Sequence, residues 1–231
     1  MTELATIAPP APRQERRYHM SYAEYAQWVD DDTHAEWVDG EVTVFMPPLF
    51  IHQDIAGFLF TLMNMFAKAH NLGTALIAPF EVRTIPNRSY REPDIIFVAR
   101  ENLHLLSERR MEAAPDVIVE VVSRESSRRD YHEKFAEYEQ VGVREYWLID
   151  PRPEGQQMQW YRRNAQGRYE AVGPDGQGRY HSEVLPGFWV HPDWLWQSPL
   201  PDPLATLAQI APQALRRALK DVLGADDEPT A

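Results

Sequence analysis

Two periodicities of apolar and polar positions alternate along the chain, and they predict its elements. "MSYAEYAQWVDDD" offers Ser21 as an N-cap followed by good helix formers. "HAEWVDGEVTVF" reads as two short strands about the turn Asp39–Gly40, a strong hairpin signal. In "LFIHQDIAGFLFTLMNMFAKAHNLG" the apolar residues Ile51, Ile55, Phe58, Leu59, Leu62 and Phe66 recur at helical spacing, which predicts a long helix closed by Gly73. "TALIAPFEVRTI" predicts one or two strands, and "REPDIIFVAR" another; Leu103 to Glu112 is a short helix or loop. "PDVIVEVVS" is the most apolar strand of the chain. A helix over Tyr131 to Gln140 follows, with Asp130 as its N-cap and Gly142 as its end. "REYWLID" is a further buried strand, stopped by Pro151. Residues 156–190 read as an antiparallel meander, and "PLATLAQIAPQALRRALKDVLG" as a helix interrupted or begun near Pro212.

This order predicts an α/β fold with a central mixed β-sheet flanked by helices, in which "PDVIVEVVS", its helix and "REYWLID" form a βαβ-like crossover. The expected layout is a flexible tail at 1–17, one domain over 18–198, a C-terminal helical appendage at 199–224 and an acidic tail at 225–231. The chain has no cysteine, so disulfides and thiolate metal sites are excluded, and a reducing cytoplasm is the simplest compartment. No apolar run is long enough to span a membrane, and the first residues lack the apolar segment of a secretory signal. A net charge of −12 argues against non-specific coating of nucleic acid, which needs Lys and Arg. It leaves a nuclease open, because metal-binding carboxylates add negative charge that the bound ion offsets.

One residue breaks the apolar pattern. Glu120 stands inside "VIVEVV", where an unpaired ionised carboxylate costs several kcal/mol or more. Strand alternation puts Ile118, Glu120 and Val122 on one face, and Asp94, Ile96 and Val98 on one face of "PDIIFV". If the two strands are neighbours, Asp94 and Glu120 converge. Two carboxylates at one point repel unless a cation lies between them. Mg²⁺ uses one or two carboxylates and keeps waters and room for substrate phosphate. Each acid has a plainer alternative: Glu120 pairs with an arginine or lies on an exposed edge, and Asp94 merely opens a strand.

"REPDIIFV", "PDVIVEVVS" and "RRDYHEKFAEYEQVGVREYWLIDP", preceded by "EWVDGEVTVFMPP" and a histidine, together resemble the Uma family (the "Uma two" branch) of restriction-endonuclease-like proteins, within the PD-(D/E)XK nuclease superfamily. The likeness runs from about Tyr22 to about Gly187. It implies a restriction-endonuclease-like fold and a Mg²⁺-dependent phosphodiesterase, with Mn²⁺ as a substitute ion. Asp94 matches the Asp of the "PD" element and Glu120 the second acidic position. Where the superfamily usually has lysine, two residues further on, this chain has Val122; Lys134 in "DYHEK" occupies the place of a lysine on the following helix. Glu36 matches an early glutamate that completes the ion's shell, and His52 a histidine at the start of the long helix that carries protons or touches phosphate. Without the resemblance, Lys134 reads as a solvated helix residue, Glu36 as a strand partner of arginine and His52 as bonded to backbone.

Arg124, Arg128 and Arg129, between the strand end and the helix, are the natural phosphate-contact group, or else an exposed loop paired with local acids. The eight histidines show no H-E-x-x-H spacing, and there is no Gly-rich phosphate loop and no G-x-S-x-G elbow. The expected partner is DNA, and a two-fold homodimer suits a double-strand cut. Two rivals stay open. One is a nuclease fold kept as a binding or assembly module with an idle site; the other is a metal-dependent hydrolase of RNA or small phosphoesters.

Overall fold

The computed structural model describes residues 15–30 and 33–223. The first fourteen residues and the acidic segment 225–231 lie outside them. Strand β1 (Arg16–His19) leads to helix α1 (Tyr22–Trp28), which Ser21 and Glu24 open with a reciprocal capping box. Part of the segment 1–17 is therefore regular structure: Arg16 and Arg17 sit in a strand paired with Val44 and Thr43. The hairpin β2 (Ala35–Val38) and β3 (Glu41–Val44) turns at Asp39 and Gly40, both at positive φ, as a two-residue hairpin turn requires.

Helix α2 (Phe50–His70) buries Ile55, Phe58, Leu59, Leu62 and Phe66 as its periodicity predicts. Its end is not at Gly73. Asn71 takes the left-handed cap position, and Gly73 already begins the next strand, close against the backbone of Val98. Ile51 also departs from the expected apolar stripe: with Leu49 and Phe50 it stands exposed at the start of the helix. There follow β4 (Gly73–Ile77), β5 (Glu81–Ile85), β6 (Ser89–Arg91), β7 (Ile95–Ala99), a 3₁₀ turn at Arg100–Leu105, β8 (Arg110–Met111) and β9 (Val117–Val121). A helical segment then runs into α3 (Phe135–Val141), β10 (Glu145–Asp150), β11 (Gln157–Arg163), β12 (Tyr169–Val172), β13 (Tyr180–His181), β14 (Trp189–Val190), α4 (Pro203–Ile210) and α5 (Pro212–Leu223).

The strands divide into two mixed six-stranded sheets and one small pair, rather than one central sheet. The first sheet has the order β1-β3-β2-β6-β5-β8, the second β12-β11-β10-β9-β7-β4. The chain crosses between sheets at Ala78–Phe80 and again at Glu92–Asp94. β9 and β10 are parallel neighbours joined through α3, the crossover the pattern predicted. Val117, Val119 and Val121 face the large core built on α2, while Ile118 and Val122 join Tyr138, Tyr146 and Leu148 on the other side. Burial on both faces explains why β9 reads as a continuous apolar run.

The aromatic-rich stretch 156–196 serves packing. Trp160 lies 3.8 Å from Trp147, ring centre to ring centre, and Phe188, Trp189 and Trp194 are buried in the same core. Leu207, Ile210, Ala211, Ala214 and Leu215 extend that core, so α4 and α5 pack on α2 as part of the main body rather than as an appendage.

Candidate active site

The seam between the two sheets holds a cavity of about 870 Å³. Its walls carry Glu36 from β2, His52 from α2, Glu92 and Asp94 from the crossing segment, Glu120 and Val121 from β9, and Lys134. β7 and β9 are antiparallel with Ile95 opposite Val119, so the register carries Asp94 opposite Glu120 on the shared face. The Val121 amide donates to Asp94 Oδ2 at 2.7 Å, which fixes that carboxylate against the strand end.

Glu120 is 3% exposed, yet it is paired. Its Oε1 accepts from Lys134 Nζ at 2.8 Å and from the Tyr138 hydroxyl at 2.9 Å. Lys134 is therefore not a solvated helix residue. Its buried ammonium also lies 3.0 Å from Glu36 Oε1 and 3.6 Å from Asp130 Oδ1. Glu36 Oε2 accepts from Arg91 at 3.0 Å, and Arg91 in turn holds Glu137 at 2.6 Å. Thr84 and Ser89 hydroxyls also donate to Glu137. One chain of alternating charges thus runs Glu137–Arg91–Glu36–Lys134–Glu120 and ties the first sheet to the second.

This geometry moves Glu36 away from the ion-ligand role. One oxygen serves Arg91, and the other serves Lys134 and the Glu92 amide, so no oxygen is left over. Glu36 instead positions Lys134. Burial alone would raise its pKa, but Lys134, Arg91 and Arg129 outweigh that and hold it at about 2. For Lys134 the balance has the same sense: burial disfavours the ammonium, and Glu120, Glu36 and Asp130 more than restore it, well above the ordinary lysine value. Glu120 goes up, because burial and the neighbouring Asp130, Asp94 and Glu36 together exceed the help from Lys134. A site with more buried carboxylate than ammonium is short of positive charge.

Asp130 is not a helix cap. Ser123 caps the turn instead, its hydroxyl accepting from the Ser126 amide at 3.0 Å. Residues Arg129–Lys134 then form a π-helical segment, a rare conformation concentrated at functional sites. Asp130 lies inside it, 1% exposed, with the Lys134 ammonium 3.6 Å from its Oδ1. The three arginines separate. Arg124 is exposed on the cavity wall, near Glu154 at 3.4 Å, and Arg128 is exposed beside Glu133 at 3.6 Å, away from the wall. Arg129 is buried against Glu15 at 2.7 Å and over the Phe45 ring. The predicted phosphate group is thus not one cluster.

His52 Nε2 lies 3.2 Å from Asp94 Oδ2, and its Nδ1 is buried with no partner among the described residues. Burial pushes the imidazole down, but its bond to Asp94 prevails and raises it. A second pair was not legible in the sequence. His34 Nε2 and Glu92 Oε2 lie 3.1 Å apart on the same wall. Burial, Glu36 and Glu81 push Glu92 up to about 8, and burial pushes His34 down, so both shifts favour the neutral forms. Nor does the local pattern mark Arg91, Glu137 and Tyr138, which only the fold brings to Glu36 and Glu120. Only the place of Glu92 directly before Pro93–Asp94 ties one of the wall residues to a motif.

The Glu92 shift has a stability consequence. A carboxyl raised in the folded state binds more protons there than in the unfolded chain between about pH 4.5 and 8, so stability falls as pH rises through that window. Glu92→Gln removes this loss. Thermal melts with chelator present are expected to show the variant gaining on the wild type between pH 5 and pH 8, by on the order of a few kcal/mol. An unchanged difference at the two pH values contradicts the assignment.

The fit to a divalent ion rests on unspent oxygens. The hydrogen bonds of Glu120 fall on Oε1 and those of Asp94 on Oδ2, leaving Oε2 and Oδ1 on two residues that line the cavity. Hard carboxylate oxygen suits Mg²⁺ or Mn²⁺, and two such donors are within the habit of Mg²⁺. Among the described residues, no group of three or more His, Asp or Glu side chains is arranged to hold a metal. The donor set is therefore sparse, with water and substrate left to fill the shell.

Among solved structures, the chain resembles a protein described as a putative nuclease belonging to DUF820 from Anabaena variabilis ATCC 29413, with a TM-score of 0.62 and 18% identity over 77% of this chain and 97% of that one. That likeness concerns the fold. No curated protein sequence matches. The family model for Uma2, described as "Putative restriction endonuclease", matches residues 22–196, which include every strand but β1 and the residues Glu36, His52, Asp94, Glu120 and Lys134. The chain belongs to the Uma2 family.

Proposed function

We propose that this protein is a Mg²⁺-dependent endonuclease that hydrolyses phosphodiester bonds of DNA, with Mn²⁺ as a substitute ion. The observation that carries the reading is the pair Asp94 and Glu120, opposite one another on adjacent strands, each with an unspent oxygen in a large cavity beside a buried lysine. Asp94 and Glu120 would hold the ion, which when bound supplies Lewis-acid charge to a phosphodiester and lowers the pKa of water. Lys134 orients Glu120 and favours its ionised form against burial, and it adds positive charge where negative charge develops on the phosphate. His52, aligned through Nε2 by Asp94, has Nδ1 available to take or give a proton. Arg124, exposed on the cavity wall, is the arginine of the three free to meet a phosphate. A two-fold dimer would present two such clefts to the two strands of a duplex.

The test is cleavage of supercoiled plasmid, single-stranded DNA, RNA and a simple phosphodiester, each with Mg²⁺, Mn²⁺ or chelator. Nicking or linearisation of plasmid that needs the ion supports the reading. Ion-dependent cleavage of RNA alone would make the protein a ribonuclease. No cleavage of any substrate, together with no ion binding by titration calorimetry, would leave the binding-module alternative.

A further inference from the structure

A second cavity of about 430 Å³ shares the wall His34, Phe45, Met46, Pro47 and Pro48 with the first. Its other lining includes Arg16, Tyr18 and Trp28. Tyr18 and Trp28 are 40% and 43% exposed, with ring centroids 5.7 Å apart and tilted at 52°. The other large rings of the protein mostly lie in its cores. Arg16 and Tyr18 are two apart on the edge strand β1, so they project from the same face. Arg17, between them, points the other way and is spent on Glu41 at 2.8 Å. Arg16 has no acidic partner among the described residues.

We infer that this second cavity is a stacking site for an unpaired nucleobase next to the cleaved bond, and hence that the substrate reaches the cleft with a single-stranded or flipped nucleotide. The inference rests on the nuclease reading above. Half-exposed aromatic faces stack on any base, and a free guanidinium beside them answers the backbone phosphate. Continuity decides the occupant. A chain whose phosphodiester lies between Asp94 and Glu120 need only cross the shared Phe45–Pro48 wall to bring a flanking base to Trp28. A paired, fully stacked duplex has no free base face to offer that site. Helix α1 and strand β1 thus gain a purpose that the charge network does not use.

The experiment measures anisotropy of labelled oligothymidylate, and of an abasic oligomer of equal length, with the full chain in Ca²⁺ in place of Mg²⁺. The wild type is expected to prefer the base-bearing oligomer by about fivefold or more. Trp28→Ala and Tyr18→Ala are each expected to bring that ratio toward one. Trp28→Phe, which keeps a ring and guards against misfolding, retains most of it. Equal wild-type affinity for the two oligomers overturns the stacking site and leaves the nuclease reading standing. Binding of neither removes both. Trp28→Ala that keeps the full ratio, or that turns a dimer into a monomer by light scattering, assigns the patch elsewhere and overturns the inference.

Discussion

Glu120→Gln is expected to fold and to lose ion-dependent plasmid cleavage, and Lys134→Met to lose it by roughly 10²–10³-fold. The two variants fail for different reasons. Gln keeps the shape of Glu120 and can still accept from Lys134 and Tyr138 through its carbonyl, but it removes the charged oxygen that faces the cavity. Ion binding by calorimetry should weaken with it. Lys134→Met leaves the two proposed ion ligands in place and removes the ammonium that holds Glu120 Oε1 and Glu36 Oε1. Glu36 keeps Arg91, so the stranded charge falls mainly on Glu120 and Asp130, whose carboxyls already sit above their ordinary pKa. The variant is therefore expected to take up protons on folding and to be less stable at pH 8 than at pH 5 relative to wild type. If Glu120→Gln cleaves as well as wild type, Asp94 and Glu120 do not form the ion site.

The second large effect is on stability. Arg91→Met is expected to destabilise the fold by about 3–5 kcal/mol, because it leaves Glu36 and Glu137 buried against each other's side of the seam with one cation removed. For a chain of this size that corresponds to a fall in melting temperature of roughly 6–20 °C. The double variant Arg91→Met with Glu137→Gln should recover part of the loss, since the uncompensated charge goes with the second change. A fall of less than about 2 °C for the single variant would mean that the chain of charges across the seam contributes little. Arg91 is only 4% exposed and ends β6, immediately before the crossing into the second sheet, so its loss also loosens the segment that carries Asp94. Activity is expected to drop in step with stability, whereas Lys134→Met acts on catalysis directly.

Much of this was legible in the residues. Helical spacing marked α2, the Asp-Gly pair marked the hairpin, and the continuous apolar run marked β9 as a central strand. Alternation put Glu120 and Asp94 on the faces they occupy. Helix caps are less legible in a sequence. Asn71 and Ser123 do the work assigned to Gly73 and Asp130, because several residues near a helix end have suitable chemistry and only backbone geometry selects one. The likeness to the Uma family pointed to Lys134, which its local surroundings alone marked as an ordinary surface lysine.

What the sequence by itself determined was the set of elements, the apolar faces and the misplaced charge at Glu120, because periodicity and burial are local properties of a strand or helix. Tertiary structure alone decided how that charge is met. It split the strands into two sheets, brought Arg91 and Glu36 to the seam from the first, and buried Lys134 between Glu36 and Glu120. It also turned Glu36 from a metal-ligand candidate into the partner of two cations and revealed the His34–Glu92 pair. The physical reason is that an ion pair is set by a distance of a few ångströms across elements far apart in the chain. No pattern within either element records that distance.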